Sequence, residues 1–152
     1  MTDRPLLDHL AAFFSDEDWE FERNDDTGIL HLTYRAERLE FDVYVQALED
    51  EAQSLVLSVA PFLVPEDRRM ATSELATRAN FGLPIGNFEL DMDSGELRYK
   101  TSIESSADQL TNEHVLALTG ANLAVMSHYL AGFRAVVFAE ASPAAIVREL
   151  NV

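Results

Sequence analysis

The feature that most constrains this chain is a series of period-two hydrophobic runs joined by connections too short to hold a helix. Leu30, Leu32 and Tyr34 alternate with His31, Thr33 and Arg35. Leu39, Phe41, Val43, Val45 and Ala47 then alternate with Glu40, Asp42, Tyr44 and Gln46. Successive side chains of a strand point to opposite faces, so this alternation describes strands with one buried and one wetter side. Trp19 and Phe21 alternate with Glu20 and Glu22 before them, and the turn cluster Asn24-Asp25-Asp26-Thr27-Gly28 separates the two runs. A fourth run, Ser54 to Val64, is more continuously apolar. A parallel pair needs a crossover of about a dozen residues or more, which none of these connections provides. The four runs are therefore expected to form an antiparallel meander.

A second strand pair follows further on. Phe88, Leu90 and Met92 alternate with Glu89 and Asp91, while Leu97, Tyr99 and Ile103 alternate with Arg98, Lys100 and Ser102. Asp93-Ser94-Gly95 turns one into the other. Matching apolar to apolar sets Met92 against Leu97 and Leu90 against Tyr99, with Asp91 facing Arg98 and Glu89 facing Lys100. In the first meander, pairing Leu32 with Phe41 sets His31 opposite Asp42.

Between and around the strands the period becomes helical. Leu6, Leu7, Leu10, Phe13 and Phe14 lie on one stripe of a helix over Pro5 to Asp18, with Pro5 suited to its first turn. Pro65-Glu66-Asp67 opens a helix that runs to about Asn80, and Ala71, Leu75 and Ala79 share its apolar side. Thr111 to Glu140 reads as helix again. At 1.5 Å per residue it would extend about 45 Å, so a bend or break is expected at Gly132. Ser142-Pro143 starts a short last helix to Leu150. The fold class is α+β in the order α-β-β-β-β-α-β-β-α-α, expected as a single domain over residues 1–152 with no linker or repeat.

Composition narrows the function classes. The 152 residues carry 27 acidic and 11 basic side chains, a net charge of −16. Such a surface repels phosphates, so nucleic acids and anionic membranes are not expected partners. The absence of cysteine removes disulfides, thiolate nucleophiles and cysteine-based zinc sites. No apolar run is read as reaching the roughly 20 residues of a membrane span, and no signal pattern opens the chain, so a cytoplasmic protein is expected.

No catalytic constellation emerges. His9, His31, His114 and His128 are far apart and share no metal-ligand spacing. Asp91-Met92-Asp93-Ser94-Gly95 begins like a calcium loop, but its glycine comes one position early and Ser102 stands where a twelfth-position glutamate belongs. Gly82-Leu83-Pro84-Ile85-Gly86 lacks the Lys-Ser/Thr ending of a phosphate loop and precedes a strand. No cofactor and no metal are expected. Tyr44 and Gln46 project from the outward side of a central strand and are candidates for a contact surface. Arg68, Arg69 and Arg78 stand beside the apolar stripe of the second helix and are candidates for a dimer seam.

The second helix and the hairpin after it, Val64-Pro65-Glu66-Asp67 through Asn80-Phe81-Gly82-Leu83-Pro84-Ile85-Gly86-Asn87-Phe88-Glu89-Leu90-Asp91 and then Gly95-Glu96-Leu97-Arg98-Tyr99-Lys100, resemble the YbjN-domain family of bacterial sensory-transduction regulators. The strand Leu39-Glu40-Phe41-Asp42-Val43-Tyr44-Val45 looks like that family too. The resemblance covers residues 16–150. It implies a fold similar to the type III secretion chaperones: a twisted antiparallel sheet with helices on one side, often in small acidic homodimers that bind extended segments of other proteins. It brings no catalytic residues. Leu130-Ala131-Gly132 departs from the proline-marked break expected after the long helix, and four strands rather than three precede the second helix. The combined expectation is a non-enzymatic protein-interaction module, a regulator or chaperone-like homodimer whose partner carries a basic segment. The alternative is a small-molecule sensor with a pocket between the sheet and the long helix.

Overall fold

A computed structural model describes residues 3–151. Its elements are α1 (Pro5–Asp16), β1 (Glu22–Asn24), β2 (Ile29–Ala36), β3 (Leu39–Leu48), β4 (Gln53–Leu63), α2 (Arg69–Gly82), β5 (Asn87–Leu90), β6 (Glu96–Glu104), α3 (Asn112–Phe138) and α4 (Pro143–Leu150). A 3-10 turn, Glu66–Arg68, leads into α2. The six strands form one antiparallel sheet in the order β1-β2-β3-β4-β6-β5. The α+β element order and the helix-backed antiparallel sheet are as expected. The insertion of β6 beside β4, with β5 pushed to the edge, is a non-local pairing.

The alternation places Leu30, Leu32, Phe41, Val43, Val45, Val56, Leu97 and Tyr99 on the buried face. They join Leu6, Leu10 and Phe14 of α1, Leu75 and Ala79 of α2, and Met126, Leu130 and Phe133 of α3 in one core. No side chain of its own caps the start of α1. The Glu49 carboxylate, from the β3–β4 turn, accepts from the free N–H groups of Leu6 and Leu7 at 2.9 and 3.0 Å instead.

Both expected hairpin registers are displaced by two residues. In β2–β3, Leu32 pairs with Val43 and His31 with Tyr44. In β5–β6, Phe88 pairs with Tyr99, Glu89 with Arg98 and Leu90 with Leu97. A slip of two preserves the faces, so alternation alone does not select between these registers; the turns do. The expected β5–β6 register needs a two-residue loop at Ser94-Gly95, which in its favoured form puts φ above zero at both positions. Here only Gly95 is positive, at 84°. Asp91 closes a longer loop by accepting from Gly95 N–H at 2.8 Å and donating to Glu96 C=O at 2.9 Å. Of the expected charge matches, Asp91–Arg98 is lost, because the shifted register sets Arg98 opposite Glu89 and the Asp91 carboxylate accepts from Asp93 and Ser94 N–H instead. Glu89 holds both Arg98 (2.8 Å) and Lys100 (2.9 Å), and His31 still reaches Asp42 at 2.9 Å, on a diagonal.

The first run begins to pair later than its pattern suggests. Trp19 and Phe21 lie in a connecting segment, and β1 is only three residues long. At the other end of the chain α3 runs unbroken for 27 residues, about 40 Å. Gly132 does not break it. A Cβ there would lie 2.7 Å from Ile146 Cγ2, so the glycine serves the close approach of α4. By length and composition α3 is apolar enough to cross a membrane, which the run-length reading missed. Its buried stripe, including Val115, Met126, Phe133 and Val137, packs into the core of this chain.

Candidate interaction surfaces

Where the alternative reading puts a pocket, between the sheet and α3, Val56, Tyr99, Leu118 and Met126 are buried. Asn122 of α3 is fully buried there and donates to Val56 C=O (2.8 Å), Tyr99 C=O (3.1 Å) and Thr101 Oγ1 (3.3 Å). Its own amide oxygen accepts from the Ser58 hydroxyl, and the Thr101 hydroxyl donates to Leu118 C=O at 3.0 Å. Polar groups in an apolar layer must be matched in this way, and the match fixes α3 against β4 and β6.

The outer face of the sheet carries no helix and mixes charge with apolar surface. Tyr44 is half-buried here, stacked on the His31 ring with centroids 4.8 Å apart and planes 11° from parallel. Leu57 stands opposite it on β4. Burial, and then the nearby charges of Asp42 and Glu96, push the Tyr44 hydroxyl above the usual tyrosine range. Gln46 lies between Ile29 and Leu55 of the neighbouring strands. At the β5–β6 end Glu89 is desolvated, which would raise its pKa. Hydrogen bonds from Lys100 and Arg98 outweigh that and hold it below the ordinary carboxylate range.

The three arginines fall into two groups. Arg68 donates through Nε and Nη2 to Val136 C=O of α3 at 3.1 and 2.6 Å. Arg69 donates to the carbonyls of Val64, Met92 and Asp93 at 3.0–3.1 Å, tying the start of α2 to the β5–β6 turn. Arg78 is exposed, and among the described residues its one ion-pair partner is Glu74, one turn back at 2.8 Å. Beside this pair lies a feature not marked by sequence reasoning. Phe81 is 95% exposed and Met70 75% exposed, at the two ends of the outer stripe of α2. The i, i+4, i+8, i+11 spacing of Met70, Glu74, Arg78 and Phe81 is visible in the sequence. Its signal was masked by the stronger Ala71, Leu75 and Ala79 stripe facing the core.

A second feature missed at the sequence level is a cleft of about 630 Å³ between the segment after α1 and β2. Trp19 and Phe21 lie in its wall, together with four carboxylates. Among the described residues no group of three or more histidine, cysteine, aspartate or glutamate side chains is arranged to hold a metal ion.

The geometry has counterparts among solved structures. YbjN from E. coli, described as "a putative transcription regulator", superposes with a TM-score of 0.67 at 16% identity, over 86% of this chain and 92% of that one. The ExsC–ExsE complex gives 0.55 at 19% identity, over 82% and 90%. The HopA1–SchA chaperone–effector complex gives 0.58 at 16%, over 86% and 98%. The expected chaperone-like fold is thus the one present. No curated protein matches the sequence. The sequence pattern of the family described as "Putative bacterial sensory transduction regulator" matches residues 6–135, starting earlier than the expected span and ending within α3. The chain belongs to the YbjN family.

Proposed function

We propose that this chain is a non-enzymatic protein-interaction module of one domain, working in the cytoplasm as a homodimer that grips a basic segment of a protein partner. The observation that carries the reading is the outer stripe of α2. Met70 and Phe81 leave most of their apolar surface in water, and burying one such side chain is worth about 1.5–3 kcal/mol. Between them stand one acid and one base, Glu74 and Arg78. A two-fold interface brings the same patch together on both copies, so the patch must complement itself. Two antiparallel α2 helices satisfy this: Met70 of one copy meets Phe81 of the other, and Glu74 meets Arg78. Arg68 and Arg69 keep α2 in place for that contact. Tyr44 and Gln46 remain on the helix-free face, open to a partner. Two of the similar solved structures are complexes of two proteins, which supports protein binding as the activity.

Light scattering tests the dimer. The wild-type chain is expected at twice its 17.0 kDa mass. Arg78→Glu sets like charges across the seam and yields monomer, and the double exchange Glu74→Arg with Arg78→Glu restores the dimer. A monomeric wild type, or an Arg78→Glu dimer of unchanged strength, overturns this seam.

A further inference from the structure

We infer that the cleft beside β2 receives an extended, lysine- or arginine-bearing segment of a protein partner as an added strand. This rests on the reading of the chain as an interaction module and names where and what it binds. Strand β1 pairs with β2 only at Asn24–Ile29, Arg23–Leu30 and Glu22–His31, whereas β2 continues to Ala36. Beyond Glu22 the chain swings away toward α1, turning at Asp18 with φ 60°. In an antiparallel strand successive residues present their backbone groups to opposite neighbours. The bond from Ala47 N–H to Gly28 C=O sets the even-numbered residues of β2 toward β3. Thr33 and Arg35 therefore turn their N–H and C=O groups to the abandoned side. Among the described residues no hydrogen bond reaches those groups.

Unpaired strand groups of this kind are a template for a further strand. What lies across the gap selects its chemistry. The opposite wall carries Glu17, Asp18, Glu20 and Glu22, and both basic side chains of the lining are already engaged, Arg35 with Glu40 at 3.3 Å and His31 with Asp42 at 2.9 Å. Trp19 gives the wall an apolar floor. It stacks on Tyr34 at 6.4 Å and meets Phe14 edge-on at 6.0 Å, so it is held rather than loose. A second copy of this chain would bring its own four carboxylates to the same gap, and like charges would oppose it. A basic strand from another protein meets opposite charge along one side and free backbone groups along the other.

Trp19 is the only tryptophan, so its emission reports directly on the cleft. The probe is a nine-residue peptide of alternating lysine and valine, titrated into the full chain while Trp19 emission and peptide anisotropy are followed. Saturable binding with a change in Trp19 emission is expected. Two N-methylated versions of equal charge, blocked at odd or at even positions, should differ, one binding at least tenfold more weakly than the other. Thr33→Pro, which removes a free N–H, and Glu20→Gln with Glu22→Gln should each weaken binding at least tenfold. A glutamate-for-lysine peptide should not bind. Equal binding of the two methylated peptides, or binding that leaves Trp19 unchanged, overturns the cleft as the site. Loss of a wild-type dimer in Thr33→Pro would assign this edge to a second copy and overturn the choice of partner. Failure of all peptides with the α2 dimer intact removes this inference alone, whereas a wild-type monomer bears on the α2 seam and not on the cleft.

Discussion

The two ends of the sheet solve the edge problem in opposite ways. At the β5 end, Asn80 of α2 acts as a substitute strand. Its amide oxygen accepts from Phe88 N–H at 2.7 Å, and its amide nitrogen donates to Phe88 C=O at 3.0 Å. Arg69 ties the neighbouring turn down through three carbonyls, and Glu89 bridges Arg98 and Lys100 across the outer side. At the β1 end the covering strand has three residues, and the backbone of Thr33 and Arg35 is left open. Exposed edges invite pairing with other chains, and proteins ordinarily close them. The sheet thus seals one edge with dedicated side chains and leaves backbone groups of the other unpaired beside a line of carboxylates.

The largest expected effect lies at the sealed end. Gly95 has φ 84°, and a Cβ there would collide with the Val64 carbonyl, whose residue also donates to Gly95 C=O at 2.8 Å. Left-handed strain and backbone overlap add, so Gly95→Ala should cost about 3 kcal/mol. For a chain of this size that lowers the melting midpoint by about 10 °C. A melting curve within 2 °C or so of the wild type would mean that this end is looser than its contacts imply. Asn80→Ala comes next. It leaves a strand N–H and C=O without partners, a loss of about 2 kcal/mol. Hydrogen exchange should show the Phe88 amide losing its protection while the β3 amides keep theirs. Equal losses in both strands would show that the edge is not separately sealed.

The same contrast explains how much of the fold was legible in the sequence. Alternation in β2, β3 and β6 declared which side chains face the core, because a face is a property of one strand. It did not declare the pairing, because Leu32 fits Val43 as well as Phe41; turn geometry near Glu37 and Gly95 decided that. The contact of β6 with β4 depends on groups far apart in the chain and leaves no local pattern. Asn80 and Asn122 look like ordinary polar residues until the backbone they serve is in place. Gly132 read as a break because a close approach and a bend both favour glycine. Arg78 was legible as a surface candidate, but Phe81 beside it, and the cleft at Trp19, depended on which helix side and which strand length the packing chose.

Acid is expected to loosen the sealed end. Hydrogen bonds to Lys100 and Arg98 keep the pKa of Glu89 low in the folded state despite its desolvation. Its contribution is present above the unfolded carboxylate pKa of about 4.3 and is lost as pH falls through the lower folded value. The pair is partly exposed, so the amount is under about 1 kcal/mol. Urea melts at descending pH should show Glu89→Gln losing less stability than the wild type across that window. A parallel decline in both proteins would mean that the bridge does not fasten the sealed end.

The smallest stability effect is expected at the open end, where a small change is the informative result. Thr33→Pro deletes an N–H that points away from β3, so no existing ladder bond is lost. Proline is tolerated in a strand whose N–H faces an open edge, and Leu32 before it is already extended, as that position requires. The change in stability should stay within about 0.5 kcal/mol. Leu32→Pro, one residue away, deletes an N–H facing β3 together with a buried side chain, and should cost about 3 kcal/mol or more. Urea denaturation of the two variants therefore reads the direction of the β2 backbone. If Thr33→Pro proves as damaging as Leu32→Pro, the edge is occupied within the chain itself and the cleft has no strand to offer. If only Leu32→Pro is damaging, the groups at Thr33 and Arg35 are unused in the folded monomer and remain available for an incoming strand.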